Sequence, residues 1–179
     1  TTTPISETME AMEILLQQGK VRSAGVSNYD VAQIIEARET LAIVSDQVPY
    51  SMLKRDIEDE LVPYTIKNNV GIIAYSPLER GLLTGKYFKG ETLQEKDHRN
   101  SQFDLDKVQV FLKKLEVLAK EKNVAVSQLV LRWTTLQPGI TIVLAGARNP
   151  TQAIQNAKAM EITIDNDEMK FINKALSEI

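Results

Sequence analysis

Between Gly71 and Lys86 the sequence reads GIIAYSPLERGLLTGK, and its second half carries what an anionic ligand needs. Gly71 to Tyr75 is a short apolar run bounded by turn residues, the pattern of a fully buried strand. It breaks at Ser76-Pro77 rather than in a tight hairpin, and Leu78, Arg80, Gly81, Gly85 and Lys86 follow. In parallel α/β sheets, ligands bind beyond the carboxyl ends of strands. Gly81 and Gly85 would let a ligand approach the backbone, while Arg80 and Lys86 can meet phosphate oxygens. An ordinary βα loop with surface cations would read the same way. Further on, the turn Gly146-Ala147-Arg148-Asn149 precedes a helical pattern, and the N-terminus of a helix favours an anion.

Four stretches, in order, carry a resemblance: GKVRSAGVSN at 19–28, SDQVPYS at 45–51, SPLERGLLTGK after the Tyr75 strand, and VLAGARNPTQAIQNAKA at 143–159. Together they resemble the aldo-keto reductases, and the similarity runs from Thr3-Pro4 to the last helix. The resemblance implies a (β/α)₈ TIM barrel, with the strands of this chain standing as the fifth to the eighth. It implies that Ser27, Asn28 and Gln47 bond the carboxamide of a nicotinamide nucleotide. Such groups offer both donors and acceptors, as a primary amide requires. By the same resemblance Tyr75 stacks on the nicotinamide ring, and Ser76, Pro77, Leu78, Arg80 and Lys86 wrap the pyrophosphate. Gly146 belongs to the turn before the helix along which Gln152, Gln155 and Asn156 hold adenosine. Many relatives carry a cation where Gln152 stands, to pair with the 2′-phosphate of NADP. Arg148, with its planar fork, can take that phosphate instead. NADP is therefore the expected cofactor, with NAD possible. No glycine fingerprint of the doubly wound type is present, and the resemblance requires none.

The catalytic set that the resemblance implies is a tyrosine, a lysine, an aspartate and a histidine on the first four strands. The matching region of this chain begins after them, so no catalytic residue is expected here and the chain alone should be inactive. Tyr50 and Tyr64 read as packing residues, and His98 as a solvated loop histidine. A small carbonyl compound would be the substrate of the complete barrel. The partner would be the missing N-terminal half, or a second copy of the chain. The alternative is a non-catalytic nucleotide-binding or partner-binding module of the kind the potassium-channel β subunits represent.

The elements that position these residues alternate strand and helix four times, which implies a parallel sheet. From pattern alone, half a barrel and a small open doubly wound sheet are not separated; the resemblance selects the barrel. Thr3-Pro4 reads as an N-cap and first helical residue before Ile5, Met9, Met12 and Leu16, with Gly19 closing the helix. Val21 to Val26 and Ile43 to Val48 read as strands. Helices are expected over Val31 to Arg38 behind an Asp30 cap, with Ile34 and Ile35 inward, and over Asp56 to Lys67. Tyr87 to Asp106 is polar and aperiodic, the mark of a binding loop or lid. Lys107 to Lys122 is a strong amphipathic helix, and Ser127 is expected to cap another that runs through Trp133. Ile140 to Leu144 is the last strand, followed by helices over Pro150 to Lys158 and Asp165 to Leu176.

A chain of 179 residues suggests one domain with a real core. Its net charge of −3 argues against nucleic-acid or anionic-membrane partners. The absence of cysteine suits a reducing cytoplasmic setting and, with one histidine, leaves little for a metal site.

Overall fold

The structure, a computed structural model, describes residues 2–88, 93–97 and 99–179. Among these residues four parallel strands form one sheet in sequential order: β1 (Ala24–Ser27), β2 (Ile43–Pro49), β3 (Gly71–Tyr75) and β4 (Ile140–Leu144). Among the described residues eight α-helices accompany it: α1 (Ile5–Gln17), α2 (Val31–Thr40), α3 (Leu61–Asn68), α4 (Arg99–Gln102), α5 (Leu105–Glu121), α6 (Val126–Thr135), α7 (Pro150–Lys158) and α8 (Asn166–Leu176). A doubly wound sheet reverses its strand order at a switch point, and this sheet does not. Sequential order is that of a barrel segment.

Alternation along the strands separates two faces. Ala24, Val48, Ile72, Ala74 and Val143 join the clusters built by the helices. The largest cluster centres on Phe111, Leu115, Leu129, Trp133 and Ile172, so α5, α6 and α8 supply most of its bulk. Residues of the opposite parity, Gly25, Ser27, Gln47, Ile73, Tyr75, Ile142 and Leu144, line the face away from the helices. Gly25 is required there: a Cβ would stand 2.9 Å from the Ser45 backbone carbonyl oxygen, besides 2.3 Å from its Oγ. The register brings Ser27 opposite Gln47 and Tyr75 opposite Leu144. Site residues from separate strands are thereby set in neighbouring rows at one end of the sheet.

Several expected boundaries move, each for a local reason. The helix expected from Asp56 begins at Leu61. Pro63 has no amide proton and is tolerated only in a first turn, which the pattern from Asp56 ignored. The preceding residues instead form a turn in which Arg55 grips Glu58 in a two-pronged ion pair, at 2.8 and 2.7 Å. The helix expected behind Ser127 starts at Val126 after Ala125, whose amide donates to Gln128 Oε1 at 3.0 Å. Helix α5 begins at Leu105 because Asp104 accepts from the Lys107 amide. Pro4 itself occupies the cap position of α1, without a side-chain cap. The first strand is Ala24–Ser27 rather than Val21 to Val26, since its pairing with β2 begins at the Ala24–Ile43 rung. Ile34 is buried as expected, but Ile35 is 48% exposed: one residue along a helix turns too far to share the face. The Asp30 cap is present as a full capping box with Gln33.

Candidate functional site

The carboxyl ends of β1, β2 and β3 bring Ser27, Asn28, Gln47 and Tyr75 together. Ser27 Oγ donates to the Gln47 carbonyl at 2.9 Å, and the Asn28 amide donates to the same oxygen at 3.0 Å. Asn28 sits in the left-handed region at φ 59°, which asparagine tolerates better than most residues. This backbone reversal turns its side chain toward β3, where Tyr75 Oη donates to Asn28 Oδ1 at 3.0 Å. Ser27 and Asn28 are exposed, and Gln47 and Tyr75 half-buried. The result is a row of hydroxyl and amide groups beside an aromatic ring, reachable from solvent.

Beyond Tyr75 the chain makes a run of left-handed residues. Ser76, Glu79, Arg80 and Gly81 have φ of 57°, 44°, 50° and 91°. Pro77 is buried beneath them, and Leu78 half-buried. Left-handed backbone costs non-glycine residues about 1–2 kcal/mol each, so it persists only where other contacts hold it. Those contacts are visible. Ser51 Oγ, fully buried, donates to Glu79 Oε1 at 2.6 Å. Arg99 donates to the Arg80 carbonyl at 2.9 Å. The Lys86 side chain lies across Gly81, where a Cβ would come within 3.2 Å of its Cε. Successive turn-forming backbone groups can bind anions, and this turn carries Arg80, with the side chains of Lys86 and Arg99 packed against it.

Arg99 was missed as a site residue because nothing in its polar, aperiodic surroundings marks it. It is nearly buried, forks onto Asp97 at 2.8 and 2.5 Å, and lies over the Tyr87 ring at 4.7 Å. Its bond to Asp97 raises its pKa further, and its bond to the Tyr87 hydroxyl lowers that of the phenol, with Lys86 assisting. The segment expected to be a loop or lid is thus fastened, in its described part, to the glycine-rich turn. His98 and residues 89–92 of that segment lie outside the described residues.

At the end of β4, Gly146 and Arg148 lead into α7, which Asn149 caps by accepting from the Gln152 amide at 2.9 Å. Gln152 returns the contact by accepting from the Arg148 amide at 2.8 Å. Asn156 donates to the Gly146 carbonyl at 3.1 Å, and the Gln155 carbonyl accepts from Gln128 at 2.9 Å. Gln152, Gln155 and Asn156 therefore share one end of the molecule with the Arg148 turn. A cavity of about 310 Å³ lies behind that turn, lined by Ala145, Ala147, Asn156 and Met160 among others.

Tyr50 and Tyr64, outside this cluster, are packing residues. Tyr50 is buried, stacks on Trp133 with ring centroids 6.2 Å apart, and donates to Glu58 at 2.6 Å. Burial and that bond push its pKa above the ordinary phenol range. Tyr64 packs beside Ile34, Val48 and Ile72. Among the described residues, no group of His, Cys, Asp and Glu could hold a metal, and no helix is long and apolar enough to cross a membrane.

The family profile described as "Aldo/keto reductase family" matches residues 1–177. The chain belongs to the aldo-keto reductase family. It is 35% identical over 179 residues to aldo-keto reductase YhdN of Bacillus subtilis (strain 168), an alignment covering 97% of this chain and 54% of that one. It is 32% identical to the NADH-specific methylglyoxal reductase of Escherichia coli (strain K12), covering 96% and 54%. Among solved structures it resembles the glycerol dehydrogenase AKR11B4 from Gluconobacter oxydans, with a TM-score of 0.89, 31% identity, and coverage of 98% and 55%. The chain spans about half the length of the curated aldo-keto reductases it matches.

Proposed function

We propose that these residues are the nucleotide-binding portion of an NADP-dependent aldo-keto reductase that reduces aldehydes or ketones by hydride transfer. The observation that carries the reading is the meeting of Ser27, Asn28, Gln47 and Tyr75 at adjacent strand ends. The donor set fits a nicotinamide nucleotide. A hydroxyl and two carboxamides can bond both ends of its amide, and the Tyr75 ring offers a flat face for the heterocycle.

Bound there, the nucleotide would supply the hydride; the chain's own work is to bind and orient it. Ser27, Asn28 and Gln47 fix which face of the ring is presented. Ser76, Pro77 and Leu78 shape the turn that receives the pyrophosphate, and Arg80 and Lys86 neutralise it. Gly146 lets the last turn approach, Gln152, Gln155 and Asn156 hold adenosine, and Arg148 pairs with the 2′-phosphate that distinguishes NADP. The E. coli relative is NADH-specific by name, so the family accommodates either nucleotide, and Arg148 is the group on which the preference turns. The proton donor to the carbonyl lies outside these residues in this reading, and the partner is the rest of the barrel. A cytoplasmic location belongs to the same reading.

The test is a fluorescence titration of the protein with NADPH and NADH, followed by an assay of aldehyde-dependent NADPH oxidation. Binding with a preference for NADPH, and turnover, are expected. Binding without turnover of any carbonyl would favour a nucleotide-binding module, and binding of neither nucleotide would overturn the assignment.

A further inference from the structure

Asp46 lies next to Gln47 in β2 but points the other way, into the layer between sheet and helices. It is 0% exposed, and neither carboxylate oxygen has a hydrogen-bond partner among the described residues. Its neighbours in register are Val26 and Ile72. Burying a carboxylate without partners is costly, and stability alone does not explain keeping one here. Beside it lie the backbone amides of Tyr29 and Asn28, which favour its charged form without reaching bonding geometry; the Asn28 amide itself donates to the Gln47 carbonyl at 3.0 Å. Those amides belong to the turn that holds Asn28 at positive φ.

The remaining ionisable groups on the elements packed there are set apart from it. On the turn and α2, Asp30, Glu36, Arg38 and Glu39 are exposed, and Asp30 is engaged in capping. On α3, Lys67 is exposed and Tyr64 half-buried, while Tyr29 is the aromatic neighbour on the turn. Burial raises the pKa of Asp46 to about 6, and the two amides limit the rise. Its charge therefore changes just below neutrality.

We propose that Asp46 is a positioning residue whose charge holds the Asn28–Tyr29 turn, so that its protonation loosens the Asn28 carboxamide and weakens nucleotide binding. The mechanism is short-range. An ionised carboxylate attracts the partial positive charge of both amides, adding to the Asn28–Gln47 bond in keeping Asn28 in the conformation that meets Tyr75. A protonated one has no such pull. The binding half of this inference rests on the nucleotide site proposed above; the coupling between Asp46 and Asn28 does not.

Two measurements separate them. In the free protein, the side-chain amide NMR signals of Asn28 should shift between pH 5 and 7.5 in a single step, and Asp46→Asn should abolish the step. Signals that do not titrate in the wild type, or that titrate alike in the variant, overturn the coupling whatever the nucleotide does. In fluorescence titrations with NADPH, Asp46→Asn should bind five- to tenfold more weakly than wild type at pH 7.5 and equally at pH 5. The comparison cancels titration of the nucleotide's own phosphate. Equal affinities at both pH values overturn the link to binding, whereas failure of the wild type to bind NADPH or NADH counts against the nucleotide site and leaves the NMR result to decide. If Asp46→Asn does not fold, the wild-type NMR titration still decides the coupling.

Discussion

Tyr75 donates its phenolic proton to Asn28 Oδ1 at 3.0 Å, tying the end of β3 to the turn after β1 across the intervening strand. The bond orients both groups at once: it fixes the plane of the ring and leaves the Asn28 NH₂ end for another acceptor. Removing the hydroxyl should therefore disturb the carboxamide more than the ring. Tyr75→Phe is expected to weaken NADPH binding by about 0.5–1.5 kcal/mol, the net worth of a single hydrogen bond. Tyr75→Ala, which also deletes the ring, should lose distinctly more. Fluorescence titration of the two variants checks the order.

Much of the frame that carries this pair is legible in the sequence. The β3 and β4 limits are as read, because short apolar runs bounded by Gly and Ser-Pro or Pro-Gly have few other structures open to them. So is the Asp30 cap, whose partner Gln33 stands three residues on. What was not legible depends on contacts distant in sequence. The Ser51–Glu79 bond spans 28 residues and the Arg99–Arg80 bond 19, and neither pairing leaves a local trace. Asp46 was passed over because an acid within an apolar strand gives no sign of which face it takes. The bulge between the Ala24 and Val26 rungs decides that.

Arg99 is expected to be the fastening of the glycine-rich turn. Arg99→Ala would remove its bonds to the Arg80 carbonyl and the Asp97 carboxylate, at a cost of about 2–3 kcal/mol in chemical denaturation. Because Arg99 holds the Tyr87 phenol below its ordinary pKa, the variant should also show that phenol titrating at higher pH. Ultraviolet difference titration reads the second effect independently of stability. An unchanged titration would mean that the two side chains do not share a proton-sensitive contact in solution.

The proposed preference for NADP rests on Arg148. Its backbone amide is committed to Gln152, but its guanidinium lies on the exposed turn before α7. Arg148→Ala should cost NADPH binding about 1.5–3 kcal/mol, the range for a hydrogen bond to a charged group, and NADH binding much less. Parallel titrations with the two nucleotides measure the difference, and equal losses would move the 2′-phosphate elsewhere.

The pH dependence of stability follows from Asp46. Its pKa in the folded chain is about 6, against 3.8 for the free side chain, so the native state holds the proton more tightly than the unfolded state does. Stability is accordingly greater at low pH and declines as the pH rises from about 4 to 6, where the buried group is forced to ionise. The full penalty above that window is at most about 3 kcal/mol, from 1.36 kcal/mol per pKa unit. Asp46→Asn should raise the melting temperature at pH 7.5 and leave it nearly unchanged at pH 4. A variant that is more stable yet binds nucleotide less well would separate a positioning role from a structural one.

The last expectation concerns the face opposite the helices. Val44, Ile142 and Leu144 are 46%, 48% and 43% exposed, and the last two share a β4 surface with no charge between them. β1 and β4 are also the edges of the sheet, and each presents unpaired backbone groups along one side. None of the usual devices protects the β4 edge: the strand ITIVL contains no lysine, proline or inward charge. An exposed sheet face with apolar side chains along β4 and bare edges is normally covered, by the remaining strands of a barrel or by another molecule. The 179-residue polypeptide by itself should therefore associate, with its barrel counterpart when supplied or with a second copy when not. Sedimentation at low micromolar concentration should show species larger than a monomer, and Ile142→Lys, which places a charge on the exposed face, should shift them toward the monomer. A dispersed monomer that takes up no counterpart would mean that the sheet is satisfied with one face open. The four strands would then be a self-contained domain rather than an arc of a barrel.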